Sequence, residues 1–70
     1  MATQREIAEA CGMSEGRISQ IFSEPSGATI GKNAARAFER LTGIPWTQFF
    51  MMRTESIKKA LFEAIDARKL

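Results

Sequence analysis

Apolar residues recur along the chain at spacings of three and four, and polar or glycine-containing breaks separate the runs. The first run, Ile7, Ala8 and Cys11, follows Thr3-Gln4-Arg5-Glu6. That tetrad is a capping-box pattern: the threonine hydroxyl accepts from the Glu6 amide while the Glu6 carboxylate returns to the Thr3 amide. Gly12 ends this helix. Ser14 is a natural N-cap for a second helix carrying Ile18, Ile21 and Phe22. Ser23-Glu24-Pro25-Ser26-Gly27 reads as a loop. A third helix begins near Thr29 or Ile30, carries Ala34, Ala37, Phe38 and Leu41, and stops at Gly43. Pro45 suits the first turn of a short fourth helix through Trp46, Phe49 and Phe50. Thr54 or Glu55 opens a fifth, with Ile57, Ala60, Leu61, Ala64 and Ile65 on one face. The pattern predicts five helices, near 3–11, 14–23, 29–42, 46–52 and 54–69, and no sustained strand alternation. The expected fold class is all-α and compact.

Length and composition narrow the function. Seventy residues are one domain at most, 1–70, since domains commonly run to about 100–150 residues. A hydrophobic content of 44% is enough to fold. Ile7, Ile18, Ile21, Phe22, Ile30, Phe38, Leu41, Ile44, Trp46, Phe49, Leu61 and Ile65 are expected to share a single core. The sequence has no histidine and one cysteine, so no nucleophile-and-base pair stands out and no catalytic, metal or cofactor site is expected. Cys11 reads as a small core residue in a protein of the reducing cytoplasm. The start, Met1-Ala2-Thr3-Gln4-Arg5-Glu6, lacks the apolar run of a signal peptide. The longest apolar stretch, Phe49-Phe50-Met51-Met52, falls far short of the roughly 20 residues of a membrane span. A net charge of +2 with pI ≈ 9.1 permits nucleic-acid binding without arguing for it.

The informative span is 4–23, QREIAEACGMSEGRISQIFS. Ala8 lies mid-helix, where a larger side chain would obstruct a crossing helix. Gly12 stands where a tight turn favours positive φ. Met13 fits beneath the turn, and Ile18 and Ile21 form the inner face of the second helix. Together these make a helix-turn-helix. The spacing of Ala8, Gly12, Ile18 and Ile21 resembles the DNA-binding version, and the chain is similar to the lambda-repressor-like family, the Cro-and-repressor type. IGKNAARAFERLTGIPWTQFF further resembles that family's fourth and fifth helices, where an alanine-rich helix ends in Leu-x-Gly-Ile and a short aromatic helix follows.

The order of helices departs from the family, which begins with a helix before the helix-turn-helix. Here a helix comes last, RTESIKKALFEAIDARKL. Joining Leu70 to Thr3 would give an ordinary family N-terminal half, and Met52-Arg53-Thr54 reads like a protein start. Circular permutation accounts for this, with an engineered origin favoured over a natural one. A natural extra helix, or a helix exchanged with a neighbouring chain, are the alternatives. Permutation implies that Leu70 and Thr3 lie within about 10–15 Å, since the chain spans at most about 3.3–3.6 Å per residue.

The second helix can be read chemically. An α-helix fits the major groove of duplex DNA and presents its N-terminal residues to base edges. Ser14, Glu15, Gly16, Arg17, Ser19 and Gln20 are the outward candidates. The resemblance assigns base reading to Glu15, Gly16 and Gln20. Gln20 can pair with adenine, Glu15 can accept from cytosine, Gly16 allows close approach, and Arg17 can reach guanine or a phosphate. Against this, Glu15 can simply complement the helix dipole and Arg17 can be a solvated surface residue. Ser14 is first of all a cap, though its hydroxyl and that of Ser19 are also candidates for phosphate. Gln4, by family resemblance, lies against the DNA backbone. Lys32 and Asn33 begin the third helix, where free amides and the dipole favour an anion; Arg36 lies one turn on. Arg5 could reach the backbone too, but beside Glu9 it is equally a surface pair worth little.

Trp46, Phe49, Phe50, Met51 and Met52 are more apolar surface than a short helix can bury in so small a domain. They are expected at the end of the molecule opposite the DNA, as an interaction patch. In the family this region mediates dimerisation, so Trp46, Phe49 and Phe50 are expected at a homodimer interface, ordinary or helix-swapped. A two-fold dimer would set two recognition helices about 34–36 Å apart. The expected function is sequence-specific binding of double-stranded DNA by a phage- or prophage-type regulator, most simply a repressor, with no membrane partner and no small-molecule substrate. The alternatives are an antitoxin-like or regulatory protein-interaction module using the aromatic end, or an engineered permutant made for folding studies.

Overall fold

The computed structural model describes residues 2–68. It is all-α, with four α-helices, α1 (Gln4–Cys11), α2 (Glu15–Ser23), α3 (Lys32–Thr42) and α4 (Thr54–Arg68), and 3-10 turns at Gly27–Thr29 and Trp46–Met51. Among the described residues there is no strand; an isolated antiparallel bridge joins Ser26 to Arg53.

Local chemistry sets most helix ends. The Thr3 amide donates to Glu6 Oε1 at 3.1 Å and the Glu6 amide to Thr3 Oγ1 at 3.3 Å, completing the capping box. Gly12 stops α1 in the left-handed region at φ 67°, and the Met13 amide then reaches the Ala8 carbonyl at 2.9 Å. Ser14 Oγ accepts from the Arg17 amide at 3.1 Å and opens α2. Gly43, at φ 81°, closes α3.

One expected helix starts later than its pattern predicts, and another takes 3-10 geometry. The third does not begin near 29: Gly27–Thr29 is a separate 3-10 turn, Ile30 and Gly31 are extended, and α3 starts at Lys32. The break before α3 is at Gly31, its extended N-cap, and distant bonds fix the loop that precedes it. The Gly27 amide donates to the Met52 carbonyl at 2.9 Å and the Thr54 amide to the Pro25 carbonyl at 3.2 Å, while the Thr54 hydroxyl donates to the Glu24 carbonyl. These bonds pin the loop after α2 to the start of α4. The expected short helix near 46–52 forms over Trp46–Met51 with 3-10 geometry, closed by bonds from Gln48 to Pro45 and from Met52 to Phe49.

Ile7, Ile18, Ile21, Ile30, Phe38, Phe49, Leu61 and Ile65 are buried as expected, and Ile57 joins them. Phe22, Leu41, Ile44 and Trp46 are only half-buried and lean on this core from outside. The remaining space is filled by Ala8, Ala34, Ala35 and Ala37, whose small side chains let the helices approach closely. Phe38 and Phe49 meet edge-on at the centre, with ring centroids 5.6 Å apart. The last helix belongs to this core: α4 packs on α1, α2 and α3, and Phe62 meets Phe22 at 6.1 Å. Arg68 lines a shallow hollow with Glu6, Glu9 and Ala10 of α1. The expected approach of Leu70 to Thr3 lies outside the described residues. No helix among the described residues is long and apolar enough to cross a membrane.

Candidate nucleic-acid interface

Burying Ile18 and Ile21 turns the opposite side of α2 outward. Ser14, Glu15, Gly16, Ser19 and Gln20 are all exposed, and Arg17 is half-buried. Gly16 has open space around it: apart from its chain neighbours and the adjoining backbone of its own helix, nothing lies within 4 Å of where a β-carbon would stand. Arg17 Nη1 donates to Gln20 Oε1 at 3.3 Å, which orients the Gln20 amide along the helix surface. Ser14 combines exposure with its capping bond, whereas Ser19 and Glu15 face solvent.

Arg17 also reaches toward the start of α3. Its Nη2 lies 4.0 Å from the β-carbon position of Gly31, the residue that caps α3. The outer face of α2 and the start of α3 therefore form one surface. A hollow between them is lined by Met13, Arg17, Gly31, Lys32, Asn33 and Arg40, and no carboxylate is among its lining residues. Sequence reasoning missed Arg40. Its signal was present in the spacing of Asn33, Ala37 and Arg40, which places all three on one face of α3.

The start of α3 differs electrostatically from the other helix starts. α1 and α2 each have a side-chain cap and a glutamate in the first turn, and α4 has Glu55. α3 has no side-chain cap bond and no acidic residue there. It carries exposed Lys32 instead, with Arg36 one turn on. Cations at a helix N-terminus oppose the dipole, and like charges four apart repel, each by a few tenths of a kcal/mol, roughly. An anion placed there would relieve both.

Gln4 is half-buried at the start of α1. Arg5 is committed to Glu9 in an exposed pair at 3.5 Å. Cys11 is buried behind the turn; burial pushes its thiol pKa upward, partly offset by the nearby Arg40 and Arg68 guanidinium groups. Together the two effects leave it favouring the protonated thiol.

The aromatic end requires two corrections. Phe49 is 0% exposed and is a core residue, so it is unavailable to an interface. A 3-10 turn projects its side chains about every third residue, which sends Phe49 inward and Met51 outward, 83% exposed. Nor does Trp46 lie at the opposite end from the candidate phosphate contacts. Lys32 Nζ and Arg36 Cζ sit 5.6 and 5.5 Å from its ring centroid. Phe50 remains half-buried, edge-on to Trp46 at 5.6 Å. No protein-family model, no curated protein and no solved structure matches this chain.

Proposed function

We propose that the protein binds double-stranded DNA sequence-specifically, as a transcriptional regulator of phage or prophage type that acts by occupying an operator. In this reading α1 and α2 are a helix-turn-helix of the lambda-repressor-like kind, and α4 is the counterpart of that family's first helix. The observation that carries it is the continuity of the outer face of α2 with the uncapped, cation-bearing start of α3, across a hollow that Arg17, Gly31, Lys32 and Asn33 line together. A helix in the major groove needs this pairing: side chains aimed at base edges, and an anion-favouring helix end beside them for the phosphates. Glu15, Gly16, Arg17 and Gln20 then read bases, while Gln4, Ser14, Ser19, Lys32, Asn33 and Arg36 meet the backbone.

A second reading, a protein-interaction module, is favoured by exposed Met51 beside half-buried Trp46, Phe50 and Met52. The same patch, without Phe49, would serve a DNA-binding homodimer. A salt titration with random-sequence duplex separates the two. Phosphate binding gives an affinity that falls linearly with salt on logarithmic axes between about 50 and 200 mM, by counterion release. A flat response would favour the interaction module.

A further inference from the structure

We propose that Trp46 is a positioning residue for the DNA backbone contacts, holding Lys32 and Arg36 ready on one aromatic surface before DNA arrives. This rests on the DNA-binding reading. Lys32 and Arg36 are one turn apart on α3, exposed, of like charge, and at the helix end where cations are disfavoured. Two such side chains would ordinarily splay apart into solvent and lose considerable rotamer freedom on meeting a phosphate. Both instead lie over the single indole, at 5.6 and 5.5 Å from its centroid. Its negative ring face attracts each cation and lessens their mutual repulsion.

The indole is itself fixed. The Trp46 backbone amide donates to Glu39 Oε2 at 3.1 Å, tying the 3-10 turn to α3. Phe50 meets the ring edge-on, with an interplanar angle of 88°. The ring is thus a rigid platform attached to the helix whose cations it holds, and its half-exposure leaves the ammonium and guanidinium groups open to an anion. Ordering them in advance lowers the entropy lost on binding.

The test is a double-mutant cycle on the full chain, measuring affinity for a random-sequence duplex at low salt. Trp46→Leu keeps an apolar side chain and removes the ring face; it is expected to weaken binding about three- to tenfold, a part of the entropy that ordering two long side chains on binding costs. In a Lys32→Ala/Arg36→Ala background the same substitution should change affinity by less than about twofold, since the groups it positions are gone. A merely structural Trp46 would give equal losses in both backgrounds, and that result, or no loss in the parent chain, overturns the proposal while leaving DNA binding intact. If Trp46→Leu does not fold, the fluorescence of Trp46, the only tryptophan, supplies the readout. Duplex should change its emission in the parent chain but not in Lys32→Ala/Arg36→Ala, and equal changes in both overturn the proposal. A parent chain without salt-dependent duplex binding overturns the DNA reading and this proposal with it.

Discussion

A β-carbon on Gly27 would stand 1.7 Å from the carbonyl oxygen of Phe49, 2.8 Å from its carbonyl carbon and 2.9 Å from Ile57 Cδ1. The backbone after α2 is pressed against the backbone of the aromatic turn, with no flexible side chain between them to give way. The Gly27 amide is fixed at the same time by its 2.9 Å bond to the Met52 carbonyl. Gly27→Ala therefore forces the two segments apart at the centre of the fold. The expected loss is at least about 1–3 kcal/mol, as for overpacked cores. In a domain this small that is a large share of the roughly 3–5 kcal/mol a single core supplies. Urea unfolding followed by circular dichroism measures it, and a midpoint equal to that of the parent chain would contradict the contact.

Cys11 gives a pH-dependent prediction. Burial raises its thiol pKa above the ordinary value, against a smaller opposing pull from Arg40 and Arg68. Folding thus favours the protonated thiol. Its stabilising contribution is whole below the ordinary thiol pKa and is lost as pH rises through the raised value, because the unfolded chain ionises first. Stability of the parent chain relative to Cys11→Ala should decline over that alkaline window and be flat near neutrality. Iodoacetamide should label Cys11 slowly at neutral pH and quickly once urea is added. Rapid labelling of the folded chain near neutrality would show the thiol to be exposed or ionised.

How far the sequence foretold this structure depends on how local each cause is. Thr3 with Glu6, Gly12 and Ser14 act within a few residues, and each was legible. The start of α3 was not: Ile30 and Gly31 are extended, and the 3-10 turn before them is tied by bonds of Gly27 and Pro25 with Met52 and Thr54, distant in sequence. The aromatic turn was misread for a related reason. Residues two apart lie on opposite sides in α- and 3-10 geometry alike, so the inward place of Phe49 and the outward place of Met51 follow from which face the turn lays on α3, where Phe49 meets Phe38. Ala35, fully buried, carried no signal, because alanine is compatible with either face of a helix. The outward face of α2 was legible from its inward face, Ile18 and Ile21. The platform of Trp46 under Lys32 and Arg36 is tertiary, set by how the 3-10 turn folds back on α3.

Gly16 separates binding from stability. It sits in the first turn of α2, and the space around its β-carbon position is empty. Gly16→Ala should leave the free protein as stable as before, or more stable by up to about 1 kcal/mol, since alanine loses less backbone freedom on entering a helix. If α2 lies in the major groove, the added methyl points at the base edges. Affinity for a duplex selected from a randomised pool should then fall, and affinity for random duplex should change little. Thermal melting and binding isotherms on one preparation check both halves. Unaltered affinity for the selected duplex would remove Gly16 from the contact surface.

Gln20 and Lys32 should fail differently when removed, because one reads bases and the other meets phosphate in the proposed complex. The Gln20 amide oxygen accepts from Arg17 in the free protein, and its second lone pair and amide hydrogens remain available to an adenine edge. Gln20→Ala should cost about 1–3 kcal/mol against the selected duplex and relax preference at a single position. Lys32→Ala removes a charge that has no base to distinguish. It should weaken selected and random duplexes by about the same factor and reduce the salt slope by about one. Affinities of both variants across a salt series, with duplexes altered one base pair at a time, provide the comparison. If Gln20→Ala weakens every duplex alike, α2 lies along the backbone and not in the groove; if Lys32→Ala leaves the salt slope unchanged, the start of α3 does not meet a phosphate.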